Sequence, residues 1–175
     1  MNDLKETIMQ RATLMAPQFE AVLEKSSSFE IKGVLNSEML MFVTLCNILN
    51  VEHIIESGRA RAQSTEVITR WLCENAPKTR FDSIEFDSNS NDVDVAKRRI
   101  EATGYPVNLL FGDAFELLPS LLNEQVGKTI VLIDGPKGVD AAKLALAALE
   151  DSNIVLSILG PATTWSLVMK FWSIA

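Results

Sequence analysis

The spacing of apolar positions changes near residue 50. From Leu4 to Lys25 they recur at helical intervals and predict an amphipathic helix, which Pro17 is expected to kink or split. SSSFEIKGVLN then reads as a loop. A second helix is predicted from about Ser37 to Leu49, with Met39, Phe42, Val43, Cys46 and Leu49 as its apolar face and Asn36 or Ser37 as its cap. Beyond it, short apolar runs alternate with helical stretches. The predicted strands are His53–Ser57, Phe81–Asp87, Val107–Phe111, Thr129–Asp134 and Asn153–Leu159. Helices are predicted over Ser64–Glu74, Val93–Thr103, Ala114–Leu122 and Ala141–Glu150, with a last one from about Thr164 onward.

Strands separated by helices of this length require crossover connections, and so an α/β fold with a mainly parallel sheet. TIVLID, strongly β-branched and apolar, fits a buried parallel strand. The 175 residues fit one domain, with residues 1–50 as a helical cap and 51–175 as the α/β core. No apolar run is long enough to cross a bilayer, and the N-terminal stretch lacks the apolar core of a secretory signal. Cys46 and Cys73 fit free thiols, so the expected location is cytoplasmic. The net charge of −7 argues against nucleic acid as a partner, since phosphate neutralisation needs a basic surface. Lys97, Arg98 and Arg99 read as a solvated helix face.

In parallel sheets, ligands bind beyond the carboxyl ends of the strands, so the chemistry is sought there. The first strand end is IIESGRARAQST. Gly58 allows a tight turn, and the helix start near Ser64 offers free N–H groups to an anion, or Ser64 is an ordinary cap. In SIEFD, the Glu85 carboxylate suits a ribose diol, with Asp87 as competitor. In FGDAFELLP, Asp113 can accept from an exocyclic amine, cap the next helix, or do both. In VLIDGPKG, Asp134 and Lys137 can hold a metal, orient a substrate or transfer a proton, or form a salt-bridged loop. His53 opens the first strand, at the wrong end for this site, and is assigned to structure.

In this order and spacing the four strand ends resemble the class I S-adenosylmethionine-dependent methyltransferases, nearest the catechol and caffeoyl-coenzyme A O-methyltransferase type. The resemblance spans about Gly33 to Leu149. It implies a Rossmann-like three-layer sandwich that binds S-adenosylmethionine and methylates an oxygen of a small-molecule acceptor. It places Glu56 and Gly58 at the methionine end of the cofactor, and Ser64 on the methionine carboxylate. Glu85 falls on the ribose, Asp113 near the adenine, Asp134 on a divalent metal, and Lys137 at the catalytic lysine.

Three departures qualify it. Ala62 replaces a motif glycine, and its methyl group is expected to crowd the cofactor. NIVLSILGPATTW lacks the paired Asp-Asp or Asp-Asn that would complete the metal site, which leaves a bound metal doubtful. The family also adds two strands after the fifth, so the chain is expected to be a fragment or its sheet shortened. The fifth strand would then be an unpaired edge. The apolar Phe171, Trp172 and Ile174 need cover, and a homodimer contact is one answer. Two other functions fit the same pattern: a nicotinamide-dependent oxidoreductase, which shares the ribose acid, and a catalytically silent relative.

Overall fold

The computed structural model describes residues 2–27, 34–89, 91–124, 126–151, 153–159 and 166–169. The elements run α1 (Asn2–Lys25), α2 (Asn36–Leu49), β1 (His53–Ser57), α3 (Gln63–Asn75), β2 (Arg80–Glu85) and α4 (Asn91–Glu101). They continue β3 (Asn108–Phe111), α5 (Ala114–Leu122), β4 (Thr129–Ile133), α6 (Gly138–Leu149), β5 (Ile154–Leu159) and β6 (Ser166–Met169). The sheet order is β3-β2-β1-β4-β5-β6. All neighbours are parallel except β5 and β6, which are antiparallel.

Side-chain alternation along the strands divides the interior into two cores. Ile54, Phe81, Ile130 and Leu132 face one side and pack with Phe19, Val22, Phe42, Ile68 and Trp71 from α1, α2 and α3. Ile55, Ile84, Val131 and Ile133 face the other and pack with Leu118, Leu121, Leu144 and Ala145 from α5 and α6. Each fully buried aliphatic side chain contributes about 1.5–3 kcal/mol, so the central strands β1 and β4 anchor the fold. Both faces of the sheet are covered, which is why its middle strands carry no alternation of polar residues.

Several local expectations are corrected. α1 is continuous through Pro17, because Met15, Phe19 and Val22 hold its inner face on the core. Leu35, not Asn36 or Ser37, occupies the cap position of α2, where the Glu38 carboxylate accepts the Leu35 N–H at 2.6 Å. α6 starts at Gly138, one turn earlier than expected. A strand, β6, lies at 166–169 where a helix was expected, so β5 is paired and the sheet goes beyond five strands. A short apolar run such as SLVM carries too few residues to separate the two periods. Phe171, Trp172 and Ile174 lie outside the described residues. Among the described residues, no helix is long and apolar enough to cross a membrane.

From β1 the chain builds outward through β2 and β3, then returns to place β4 on the other side of β1. That reversal opens a crevice at the carboxyl ends of β1 and β4. At the opposite edge, His53 and Asp82 form a buried pair at 2.5 Å. Arg80 Nε (2.8 Å) and Asn108 Nδ2 (2.7 Å) complete the ring around Asp82. Burial pushes the Asp82 carboxyl up, but these bonds outweigh it and hold the group below the usual carboxylate range. This polar network ties the amino ends of β1, β2 and β3, and it accounts for the only histidine.

Candidate functional site

A cleft of about 340 Å³ lies along the carboxyl edge of the sheet. Ser57 and Gly58 from β1, Glu85 and Phe86 from β2, Gly112 to Phe115 from β3 and α5, and Gly135, Pro136 and Asp140 from the β4–α6 turn line it. The volume lies in the range of small-molecule sites. Gly58, Glu85 and Asp113, singled out from separate strand ends, line this one cleft.

The cleft floor is backbone. The Asp134 and Gly135 N–H groups both donate to the Ser57 carbonyl, at 2.8 and 3.0 Å, and Gly58 N–H donates to Ile84 O at 3.0 Å. Ser57 Oγ also donates to the Gly135 carbonyl. Gly58 has φ +89°, and a β-carbon placed there would lie 2.3 Å from Gly135 N. The β1 and β4 exits thus touch at a point where no side chain fits.

Glu85 stands at the end of β2. Its Oε2 accepts Ala60 N–H at 2.5 Å, and its Oε1 accepts Phe86 N–H at 2.9 Å. The carboxylate is oriented by backbone and keeps lone pairs free for a ligand. Asp113 caps α5 by accepting Phe115 N–H at 2.9 Å, and it also borders the cleft. Phe86, 76% exposed, and Phe115 present apolar faces beside these two acids.

Glu56 and Ser64 are not brought to the cleft wall. Glu56 is 0% exposed and accepts hydroxyl hydrogens from Ser64 (2.6 Å), Thr65 (2.5 Å) and Ser83 (2.7 Å). Burial pushes its carboxyl up, while the three hydroxyls and the charge of Arg59 act the other way. The Ser64 hydroxyl is therefore committed to Glu56, and together they fix the first turn of α3 behind the cleft.

Ala62 is likewise corrected. Its methyl group is fully buried against Ala96 and Ile100 of α4, away from the cleft. Its φ of +59° is the left-handed conformation a glycine would favour. Ala60, exposed on the same turn, has φ +44°. Left-handed backbone costs a non-glycine residue about 1–2 kcal/mol. Ala60→Gly is therefore expected to raise the melting temperature by roughly 2–4 °C, less what the added freedom of the unfolded chain removes. A thermal scan that shows a drop would mean that the turn is not strained.

Asp134 and Lys137 form an ion pair at the start of α6, the lysine 52% exposed and the aspartate mostly buried. Burial pushes the Asp134 carboxyl up, Lys137 opposes that, and the charge of Glu85 adds to it. Among the described residues, no group of three His, Cys, Asp or Glu side chains is placed to hold a metal ion. Asp134 offers one carboxylate already engaged by an ammonium, so these residues do not fit a divalent metal.

Sequence reasoning missed Arg59, Phe86, Phe115 and Asp140. Arg59 is 3% exposed, donates from Nη1 to the Ser83 carbonyl at 2.7 Å, and lies 4.9 Å from the centre of the Phe111 ring. A charged residue in the turn directly after a buried strand is the signal that would have found it. An apolar residue next to each cleft acid is the signal for Phe86 and Phe115.

No protein-family model matches the chain, and no curated protein sequence matches it. Solved structures do match. The O-methyltransferase TomG of Streptomyces achromogenes, involved in tomaymycin synthesis and solved with S-adenosylmethionine, superposes with a TM-score of 0.62 at 20% identity, over 88% of this chain and 64% of that one. An O-methyltransferase from Bacillus cereus solved with S-adenosylhomocysteine gives 0.60 at 20% identity, over 88% and 65%. The Podospora anserina methyltransferase PaMTH1, bound to S-adenosylhomocysteine, gives 0.54 at 12% identity, over 87% and 61%. The chain spans less than two thirds of the length of these structures. It shares its fold with these methyltransferase structures.

Proposed function

We infer that the protein is an S-adenosylmethionine-dependent methyltransferase acting on an oxygen of a small-molecule acceptor. The observation that carries this reading is the convergence of Gly58, Glu85 and Asp113 on one cleft at the switch point of the sheet. The fold it shares with O-methyltransferases solved with S-adenosylmethionine or its product supports it.

The described residues fit the adenosyl group. Glu85 accepts the ribose hydroxyls, each charged bond being worth about 1.5–3 kcal/mol. Asp113 takes the adenine amine, and Phe86 and Phe115 provide apolar faces for the ring. The backbone of Ser57 and Gly58 receives the amino-acid end, and Glu56 and Ser64 hold the first turn of α3 behind it. When bound, the cofactor supplies a methyl group on a positive sulfur, which leaves with that bond's electrons staying on sulfur. The protein's work is alignment of the two reactants, worth roughly 7–11 kcal/mol of barrier.

The acceptor hydroxyl must also lose its proton. Lys137 stands in an ion pair, so Asp134 is the group with a free pair of electrons, and Lys137 orients it. Asp134 must be ionised to act, and burial raises its pKa above the ordinary carboxylate value. Activity is therefore expected to fall as pH drops through that raised value, and to be flat above it. Asp134→Asn should lower kcat by roughly 10²–10⁴-fold. The test is transfer of labelled methyl from S-adenosylmethionine to a panel of phenols and alcohols, followed across pH for wild type and Asp134→Asn. Cofactor binding with no transfer to any acceptor would favour a catalytically silent relative instead.

A further inference from the structure

Arg59 carries a buried charge that the proposed reaction does not use. Burial lowers the pKa of its guanidinium, and the nearby charges of Glu56 and Glu85 oppose this. Of its five donors, one is engaged among the described residues, on the Ser83 carbonyl at 2.7 Å. A neutral side chain of the same length would fill this space without the cost of burying a charge. Its charge acts on two carboxylates, Glu56 and Glu85. Glu56 is also held by three hydroxyls, which fix its place without Arg59. Glu85 is the one of the two that lines the cleft.

The geometry points to Arg59 as a positioning residue, whose guanidinium, wedged among the exits of β1, β2 and β3 and packed on Phe111, holds Glu85 where an adenosyl ligand is received. Three contacts carry this. Its Nη1 grips the β2 backbone two residues before Glu85. Its guanidinium carbon lies over the ring of Phe111, the register partner of Glu85 on β3, 4.9 Å from the ring centre. The next residue along its own turn, Ala60, gives its N–H to Glu85 Oε2 at 2.5 Å. Arg59 thus joins the turn that supplies a donor to Glu85 to the strand that carries this carboxylate, β2, and to its neighbour β3. The ligand named here rests on the reading of the cleft as an adenosyl site.

The rival account is that Arg59 only neutralises Glu56. Arg59→Met, Arg59→Lys and the double variant Glu56→Gln/Arg59→Met separate the two. Amide exchange is read by NMR without ligand, affinity for S-adenosylhomocysteine by calorimetry, and stability by melting. In Arg59→Met, exchange at the Ala60 and Phe86 amides should rise roughly tenfold beyond any change at Ile130 to Leu132. Affinity should fall by roughly tenfold or more, and Arg59→Lys should recover part of it. The double variant should regain melting temperature but neither protection nor affinity. If Arg59→Met fails to fold, the double variant, which leaves no buried carboxylate unpaired, makes the same comparison. The proposal is overturned if those two amides stay protected, or if the double variant recovers affinity along with stability. Absence of binding by the wild type would sink the adenosyl reading, while the exchange data would still decide whether Arg59 places Glu85.

Discussion

Replacing Gly58 with alanine is expected to lower the melting temperature by about 10 °C and to abolish ligand binding in the cleft. Two costs add. The backbone at φ +89° penalises a β-carbon by about 1–2 kcal/mol. The added carbon would also lie 2.3 Å from Gly135 N and 2.8 Å from the carbonyl carbon of Asp134, and forcing apart a packed contact of this kind costs roughly 1–3 kcal/mol. Neither neighbour is a flexible side chain, so relief requires the β1 and β4 exits to separate. That separation would break the Gly135 and Asp134 bonds to the Ser57 carbonyl, which form the cleft floor. Gly104→Ala is the matched control: φ is +70°, but no atom lies within 4 Å of the new carbon. It should cost about 1–2 kcal/mol through the backbone alone and leave binding intact. Equal losses from the two variants would mean that the β1–β4 contact is not tight.

Glu85→Ala should reduce affinity for S-adenosylhomocysteine by roughly 10²-fold or more, since two charged hydrogen bonds to a diol are removed together. The melting temperature should change far less, because the Glu85 side chain is half-buried and its partners are surface backbone amides. Glu85→Gln separates charge from shape. It keeps an acceptor for one N–H but presents an amide where a carboxylate stood, and is expected to bind with intermediate affinity. Calorimetry on the three proteins checks the order. Unchanged affinity in Glu85→Ala would remove this residue from the site, whatever the fold.

The order of helices and strands was legible because the chain changes period where the sheet begins, and because HIIES and TIVLI are too short and too β-branched to be helices. The cleft acids were legible because a parallel sheet sends its carboxyl ends to one edge, so Glu85 and Asp113 had to converge there. What could not be read was partnership. Nothing in the order of residues indicates that the Ser64 hydroxyl turns inward to Glu56, because that choice depends on Ser83 arriving from the neighbouring strand. The Ala62 methyl group could be placed only once α4 was packed beside it. Nothing in the sequence marks Arg59 as buried, because Ser83 of β2 and Phe111 of β3 meet it only in the assembled sheet. The strand at 166–169 was missed for a different reason: four residues do not establish a period.

Titration of the wild-type protein with S-adenosylhomocysteine, and separately with NADH, tests most directly whether these strand ends form an adenosyl amino-acid site. The account predicts saturable one-to-one binding of S-adenosylhomocysteine and no heat from NADH. Binding of NADH without S-adenosylhomocysteine would contradict it, and would hand the cleft to the nicotinamide chemistry that shares its ribose acid.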